Sequence, residues 1–280
     1  MRFEKWQALG NDYVIVEEND LPFELTPGRV RALCAPHTGV GSDGILLIRE
    51  AGGDLVAEVR IYNPDGSEAE LSGNGVRQAV MYLRSHGWTD QDSFAVRTAA
   101  GEVRPRIDGE LCTLDIGQVR LRAEGDYPDG ADDGIGTLSS DGRDFDFQFV
   151  QVGNPQVSIE AGDEIEGLDL QRYGPGIERN ELFPNRTNVS FWRRTGDAEI
   201  RARIFERGVG ETMSSGTGAT GAAVAASLRG VARPVTVVLD GGELVIEVDD
   251  DLHVNMTGWA RPVYAGTLSE EFLKELNATE

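Results

Sequence analysis

The sequence predicts an α+β protein of two homologous lobes related by a pseudo-twofold axis, each a mostly antiparallel sheet wrapped around a central helix. Three observations carry that expectation. The chain repeats itself at a nearly fixed spacing, and the segments between turn residues are short and β-branched. In each repeat, one helix-period stretch follows a Gly-rich motif.

The repeat begins with LGNDYVIVE (9–17) and VGNPQVSIE (152–160), which pair Gly10 with Gly153, Asn11 with Asn154, Val14 with Val157 and Glu17 with Glu160 at an offset of 143. At the same offset VRIYN (59–63) answers ARIFE (202–206), and SGNGV (72–76) answers SGTGA (215–219). The offset then slips to 141, where Gly101-Glu102 answers Gly242-Glu243 and Gly117 answers Gly258, as one short loop difference would produce. Chance supplies single matches but not a nearly constant offset over more than 100 residues. The expected division is an N-terminal lobe, 1–117, completed by the tail 262–280, and a C-terminal lobe, 118–261. The stretch 124–145, rich in Gly, Asp and Ser, reads as linker and surface loop.

Within the first repeat DYVIVEE, GILLIRE, LVAEVRIYN, SFAVRT and GEVRPRI read as strands, being β-branched or alternating and bounded by Gly, Pro and Asp. Helices are expected over 73–86 and 216–230, the second Ala-rich and almost uncharged before Arg229. A helix apolar all round is a buried helix. The tail GWARPVYAGTLSEEFLKELNATE offers one more strand and an end helix.

Composition narrows the function classes. With 280 residues and an apolar fraction of 40%, the chain can bury a large core. No apolar run nears the ~18 residues of a membrane span and no signal peptide is evident, so a cytoplasmic protein is expected. Against 26 Lys+Arg stand 48 Asp+Glu, a net charge of −22, and Lys5 and Lys274 are the only lysines. Such a polyanion repels nucleic acid and anionic membrane. Abundant Asp with scarce Lys points to a halophilic cytoplasm, where molar salt shortens the screening length to ~3 Å. Cys34 and Cys112 suggest neither a disulfide framework nor a metal site, and His37, His86 and His253 have no ligand spacing, so no metal is expected. The glycines of HTGVGSDG (37–44) read as turn formers, the four tryptophans as core or interface, and Asp249-Asp250-Asp251 as a solvated turn.

SGNG and SGTG each sit where a strand-loop gives way to a buried helix. Serine capping leaves N–H groups uncovered at the positive end of the dipole, a site for a carboxylate. Two such sites in matched lobes suit a ligand whose α-carbon loses a proton on one face and regains one on the other, that is, racemisation or epimerisation. Neither repeat holds a lysine for a pyridoxal Schiff base, so no cofactor is expected.

LGNDYVIVE, HTGVGSDG, IYNPDGSEAELSGNGVR, VGNPQ, NRTNVSF and ERGVGETMSSGTGA resemble, in order and spacing, the motifs of the diaminopimelate epimerase family. The resemblance implies a pyridoxal-independent isomerase of lysine biosynthesis, acting on a small amino acid with a carboxylate at each end. A homodimer is left open. It also implies that Asn11 and the backbones of Gly73-Asn74 and Gly216-Thr217 hold the reacting carboxylate and amine. Asn63, Asn154, Asn188, Glu206 and Arg207 would grip the distal end, Arg207 through its planar fork.

Two departures from the family pattern stand out. Its CGNG and CGTG, which carry the acid–base cysteines, are here Ser72 and Ser215, and the histidine of its VGNPH is Gln156. A serine hydroxyl is a much weaker acid than a thiol and needs an adjacent base. Ser72, Ser215 and Glu206 are the expected catalytic residues, with Glu211 and Asp65 as further candidate bases. Three readings stay open: an α-carbon epimerase, a relative with another proton transfer (a one-base isomerase or dehydratase), and a non-catalytic amino-acid binder.

Overall fold

The structure, a computed structural model, describes residues 1–279. The chain begins with β1 (Arg2–Ala8), β2 (Asn11–Glu17), α1 (Pro27–Cys34), β3 (Ile45–Glu50), β4 (Leu55–Tyr62), β5 (Glu68–Ala69) and α2 (Gly73–Ser85). It continues through β6 (Ala95–Thr98), β7 (Gly101–Val103), β8 (Arg106–Asp108), β9 (Leu111–Gln118), β10 (Ile135–Ser140), β11 (Arg143–Gln151) and β12 (Pro155–Glu160). Then follow α3 (Leu170–Glu178), β13 (Asn188–Arg194), β14 (Glu199–Glu206), β15 (Gly210–Thr212) and α4 (Gly216–Leu228). The chain closes with β16 (Val235–Leu239), β17 (Gly242–Val248), β18 (His253–Trp259), β19 (Arg261–Thr267) and α5 (Glu270–Ala278). Two compact units result, Met1–Leu114 with Gly258–Glu280, and Asp115–Thr257.

The first unit holds a sheet in the order β19-β1-β2-β3-β4-β6-β7, with β5 paired to β4. Most pairs are antiparallel, but β2–β3 and β4–β6 are parallel. Helix α2 packs on β1 to β4 with Val76, Ala79, Val80 and Leu83 fully buried. The second unit's sheet runs β10-β11-β12-β13-β14-β16-β17-β18, with β15 on β14 and parallel pairs at β12–β13 and β14–β16. Helix α4 packs on β11 to β14, β16 and β17, and every residue from Gly218 to Ala226 is buried. Its glycines permit this: a Cβ on Gly218 would lie 2.8 Å from Ile204 Cδ1, and one on Gly221 2.9 Å from Gln156 Cβ.

The fold class and both central helices match expectation, and three details correct it. Pro105 breaks GEVRPRI into β7 and β8, because proline cannot donate to the ladder. The stretch 124–145 is not all loop: β10 and the start of β11 form a hairpin around Asp141-Gly142, both at positive φ (48° and 75°). That is the two-residue geometry that an Asp-Gly pair favours. Each unit also carries a further helix. α1 is capped by Thr26 with Pro27 at its first turn, and α3, capped by Asp169, contains Gly and Pro that hide its period. No helix among the described residues is long and apolar enough to cross a membrane.

Candidate active site

Each Gly-rich motif is reached by the same local construction. Tyr62↔Glu68 and Ile61↔Ala69 pair β4 with β5, as Phe205↔Glu211 and Ile204↔Thr212 pair β14 with β15. Arg60 holds Glu68 through two hydrogen bonds of 2.9 and 2.6 Å, and Arg203 holds Glu211 at 3.0 Å through Nε. Each hairpin delivers a serine to the N-cap of a buried helix, at φ −139°, ψ 117° for Ser72 and φ −142°, ψ 123° for Ser215. Ser72 Oγ accepts from Gly75 N–H at 3.1 Å and Ser215 Oγ from Gly218 N–H at 3.4 Å. The N–H groups of Gly73-Asn74 and Gly216-Thr217 precede the first intrahelical bonds of α2 and α4. They therefore have no helical acceptor and carry the positive dipole end.

The two motifs differ in what touches the serine. Ser215 Oγ donates to Glu206 Oε2 at 3.0 Å, and Thr212 Oγ1 donates to Glu206 Oε1 at 2.7 Å. Burial pushes the Glu206 carboxyl above the usual carboxylate range, and the two hydroxyl donors partly oppose the shift. At the matching position of the first unit stands Asn63, whose N–H donates to Ser67 O and whose Nδ2 donates to Ser67 Oγ. Ser72 Oγ instead accepts from the Tyr13 phenol at 3.3 Å. Of the three carboxylates considered as bases, only Glu206 reaches a motif serine. Glu211 is spent on Arg203, and Asp65 is fully exposed, its carboxyl held below the usual range by Ser67.

The other expected residues fall into small networks. Asn11 Nδ2 donates to Asp43 Oδ2 at 2.8 Å, and its carbonyl accepts from Gln78 Nε2. Burial and the neighbouring Asp12 raise the Asp43 carboxyl against these donors. Asn74 is buried and accepts from Arg77, a fully buried guanidinium lowered to about 10 by desolvation. Asn154 accepts from Gln156 Nε2 at 2.7 Å, so Gln156 spends its donor on a neighbour. Its Oε1 is enclosed without a hydrogen-bond partner.

Asn188 Oδ1 accepts the Arg207 N–H at 2.8 Å, and Arg207 Nη1 donates to Asn185 O at 2.7 Å. The next residue, Gly208, donates its N–H to Glu178 Oε1 at 3.0 Å. Tyr13, Thr212, Glu178 and Asn185 escaped the sequence reading. The signal available for two of them was broken repeat symmetry, since Tyr13 stands opposite Gln156, and Thr212 opposite Ala69, at the offset of 143.

A family model described as diaminopimelate epimerase matches residues 3–121 and 148–263. The diaminopimelate epimerase of Synechococcus sp. (strain JA-3-3Ab) is 41% identical over 285 residues, covering 96% of this chain and 99% of that protein. That of Desulfitobacterium hafniense (strain DSM 10664 / DCB-2) is 38% identical, covering 98% of this chain and 100% of its own. Among solved structures, a Bacillus anthracis phenazine biosynthesis protein of the PhzF family superposes with a TM-score of 0.70 at 17% identity, covering 96% and 99% of the two chains. This last likeness speaks to fold alone.

Proposed function

Because the chain belongs to the diaminopimelate epimerase family, we propose that it is a pyridoxal-independent isomerase that inverts the α-carbon of diaminopimelate in lysine biosynthesis. The proton-transfer base would be a carboxylate behind a serine in place of a thiol. The observation that carries the reading is the Ser215–Glu206 hydrogen bond at the N-terminus of α4. A hydroxyl this close to a carboxylate has the adjacent base that it needs. The raised affinity of Glu206 for a proton moves its working range toward neutrality, where general bases are most effective.

In the proposed step the Cα–H bond breaks as its proton passes to Ser215 Oγ, whose own proton moves to Glu206 Oε2. The electron pair left on Cα delocalises into the α-carboxylate. The backbone N–H groups of Gly73-Asn74 and Gly216-Thr217, at the positive ends of α2 and α4, would stabilise the charge gathering there, where such donors are most effective. Inversion requires that Ser72 return a proton to the opposite face. Asn11 would hold the reacting end, and Asn63, Asn154, Asn188 and Arg207 the distal carboxylate and amine. No metal or cofactor is required for these steps.

The proposal extends to the setting. The lobes 1–117 with 262–280, and 118–261, would descend from one duplicated unit. The −22 charge would reflect a halophilic cytoplasm without nucleic-acid or membrane partners, and a homodimer is compatible with it. A second reading is favoured by the asymmetry of the serines. With a carboxylate on Ser215 and none on Ser72, a one-base reaction would exchange Cα–H without inversion.

Incubating separate stereoisomers of diaminopimelate in D2O at molar KCl tells these apart. Deuterium uptake with inversion is expected. Uptake with retention alone would support the one-base reading, and no uptake would leave a binding protein.

A further inference from the structure

The two motif serines have opposite hydrogen-bond polarity. Ser215 Oγ gives its proton to a carboxylate, whereas Ser72 Oγ receives one from a phenol. Ser72 Oγ also accepts Gly75 N–H at 3.1 Å, so two donors converge on one oxygen. A hydroxyl that accepts twice has its own proton left as the group it can present to a ligand.

The phenol is seated rather than incidental. Tyr13 is 5% exposed on β2, and its ring edge lies over Gly44. A Cβ at Gly44 would stand 2.7 Å from Tyr13 Cε1 and 2.2 Å from Tyr62 O, so no larger residue leaves the ring where it is. The repeat does not explain the tyrosine, because Gln156 occupies the matching position of the second unit.

We infer that Tyr13 is the proton reservoir behind Ser72, making the Tyr13–Ser72 pair the acid half of a reaction whose basic half is Ser215–Glu206. The inference deepens the proposed isomerase and rests on it. On the Ser72 face the O–H bond of Ser72 breaks and a C–H bond forms at the Cα carbanion, using its electron pair. The Tyr13 O–H proton moves to Ser72 Oγ, leaving a phenolate that takes a proton from water. In the reverse direction the phenolate accepts the Ser72 proton as Ser72 accepts that of Cα. No electrons are exchanged with any other group. A free phenol, with a pKa of about 10, is a far stronger acid than an alcohol, so the pair can do what serine alone does poorly. Tyr13 acts through Ser72 and is in that sense a positioning residue for the transferred proton.

The test follows each diaminopimelate stereoisomer in D2O at molar KCl, scoring deuterium uptake with retention separately from inversion. In Tyr13→Phe, which keeps the ring and its seat, inversion should fall on the order of 10²-fold while KM stays within about threefold. Uptake with retention, driven from Glu206, should persist. Ser72→Ala should show the same split and serves in its place if Tyr13→Phe does not fold. In the double variant the two losses should not add.

Inversion at the wild-type rate in Tyr13→Phe would overturn the inference while leaving the isomerase reading intact. A parallel loss of retention and inversion, in Tyr13→Phe or in Ser72→Ala standing in for it, would do the same. A wild-type protein that exchanges nothing would overturn the isomerase reading, and this inference with it.

Discussion

Glu178 offers a perturbation whose size can be worked out from its surroundings. Its side chain is 2% exposed, and it is the last residue of α3. A carboxylate there faces the negative end of the helix dipole, so helix electrostatics disfavour it. What offsets this is the Gly208 N–H at 3.0 Å, with Arg179 and Arg186 at 3.6 Å. Those two arginine side chains are 63% and 53% exposed, so each contributes at most about 1 kcal/mol, and less in salt.

The hydrogen bond from a backbone N–H to a buried carboxylate is the larger effect, about 1.5–3 kcal/mol. Glu178→Gln keeps an acceptor oxygen and should cost about 1–2 kcal/mol. Glu178→Leu strands the Gly208 N–H and should cost about 3 kcal/mol. Urea unfolding at low and molar KCl separates the contributions, since only the arginine part is screened away. Gly208 adjoins Arg207, so both variants should also raise KM for diaminopimelate several-fold with kcat little changed. A Glu178→Leu protein within about 0.5 kcal/mol of wild type would refute the anchoring role. So would a destabilised variant whose KM had not moved.

Further outcomes are expected. Thermal stability should rise steeply as KCl goes from millimolar to molar, because screening relieves the self-repulsion of a −22 chain; a flat or falling melting temperature would give the acidity another cause. Arg207→Lys should lose about 1.5–3 kcal/mol of affinity for a two-carboxylate amino acid in a calorimetric titration, since an ammonium cannot make the forked contact; unchanged affinity would remove the distal-clamp assignment. Thr212→Val deletes a donor that favours the charged form of Glu206, so that carboxyl's proton affinity should rise further. The acid limb of the kcat/KM profile should then move to higher pH; a shift to lower pH would mean that Glu206 is not the titrating base.

Much of the architecture was legible because matched motifs recur along the chain at a nearly fixed spacing. The offset of 143 located both central helices, both capping serines and the strands before them; the hairpins β4–β5 and β14–β15 came from the structure, which gives Arg60–Glu68 and Arg203–Glu211 the same ion-paired role. Elements whose signals compete with turn residues were harder to see. Pro175 and two glycines obscure α3, and the Asp141-Gly142 hairpin reads as loop because its surroundings are rich in Asp and Ser.

In the site, the family resemblance put Glu206 ahead of Glu211 and Asp65 but gave no physical ground for that order. That ranking depends on which carboxylate is already engaged and which is exposed. Tyr13 was invisible for a related reason. It lies 59 residues from Ser72 in sequence and is brought to it only by the packing of α2 on the sheet that carries β2.

The role of Glu206 can be decided by deuterium exchange at Cα of diaminopimelate in molar KCl, comparing wild type with Glu206→Gln. The glutamine keeps the size of the side chain and one of the two acceptor oxygens that Thr212 and Ser215 use, but it cannot take up a proton. Glu206→Gln should bind substrate with KM within a few-fold of wild type and lose exchange by at least ~10²-fold. Exchange at the wild-type rate in that variant would contradict the assignment of Glu206 as the base behind Ser215.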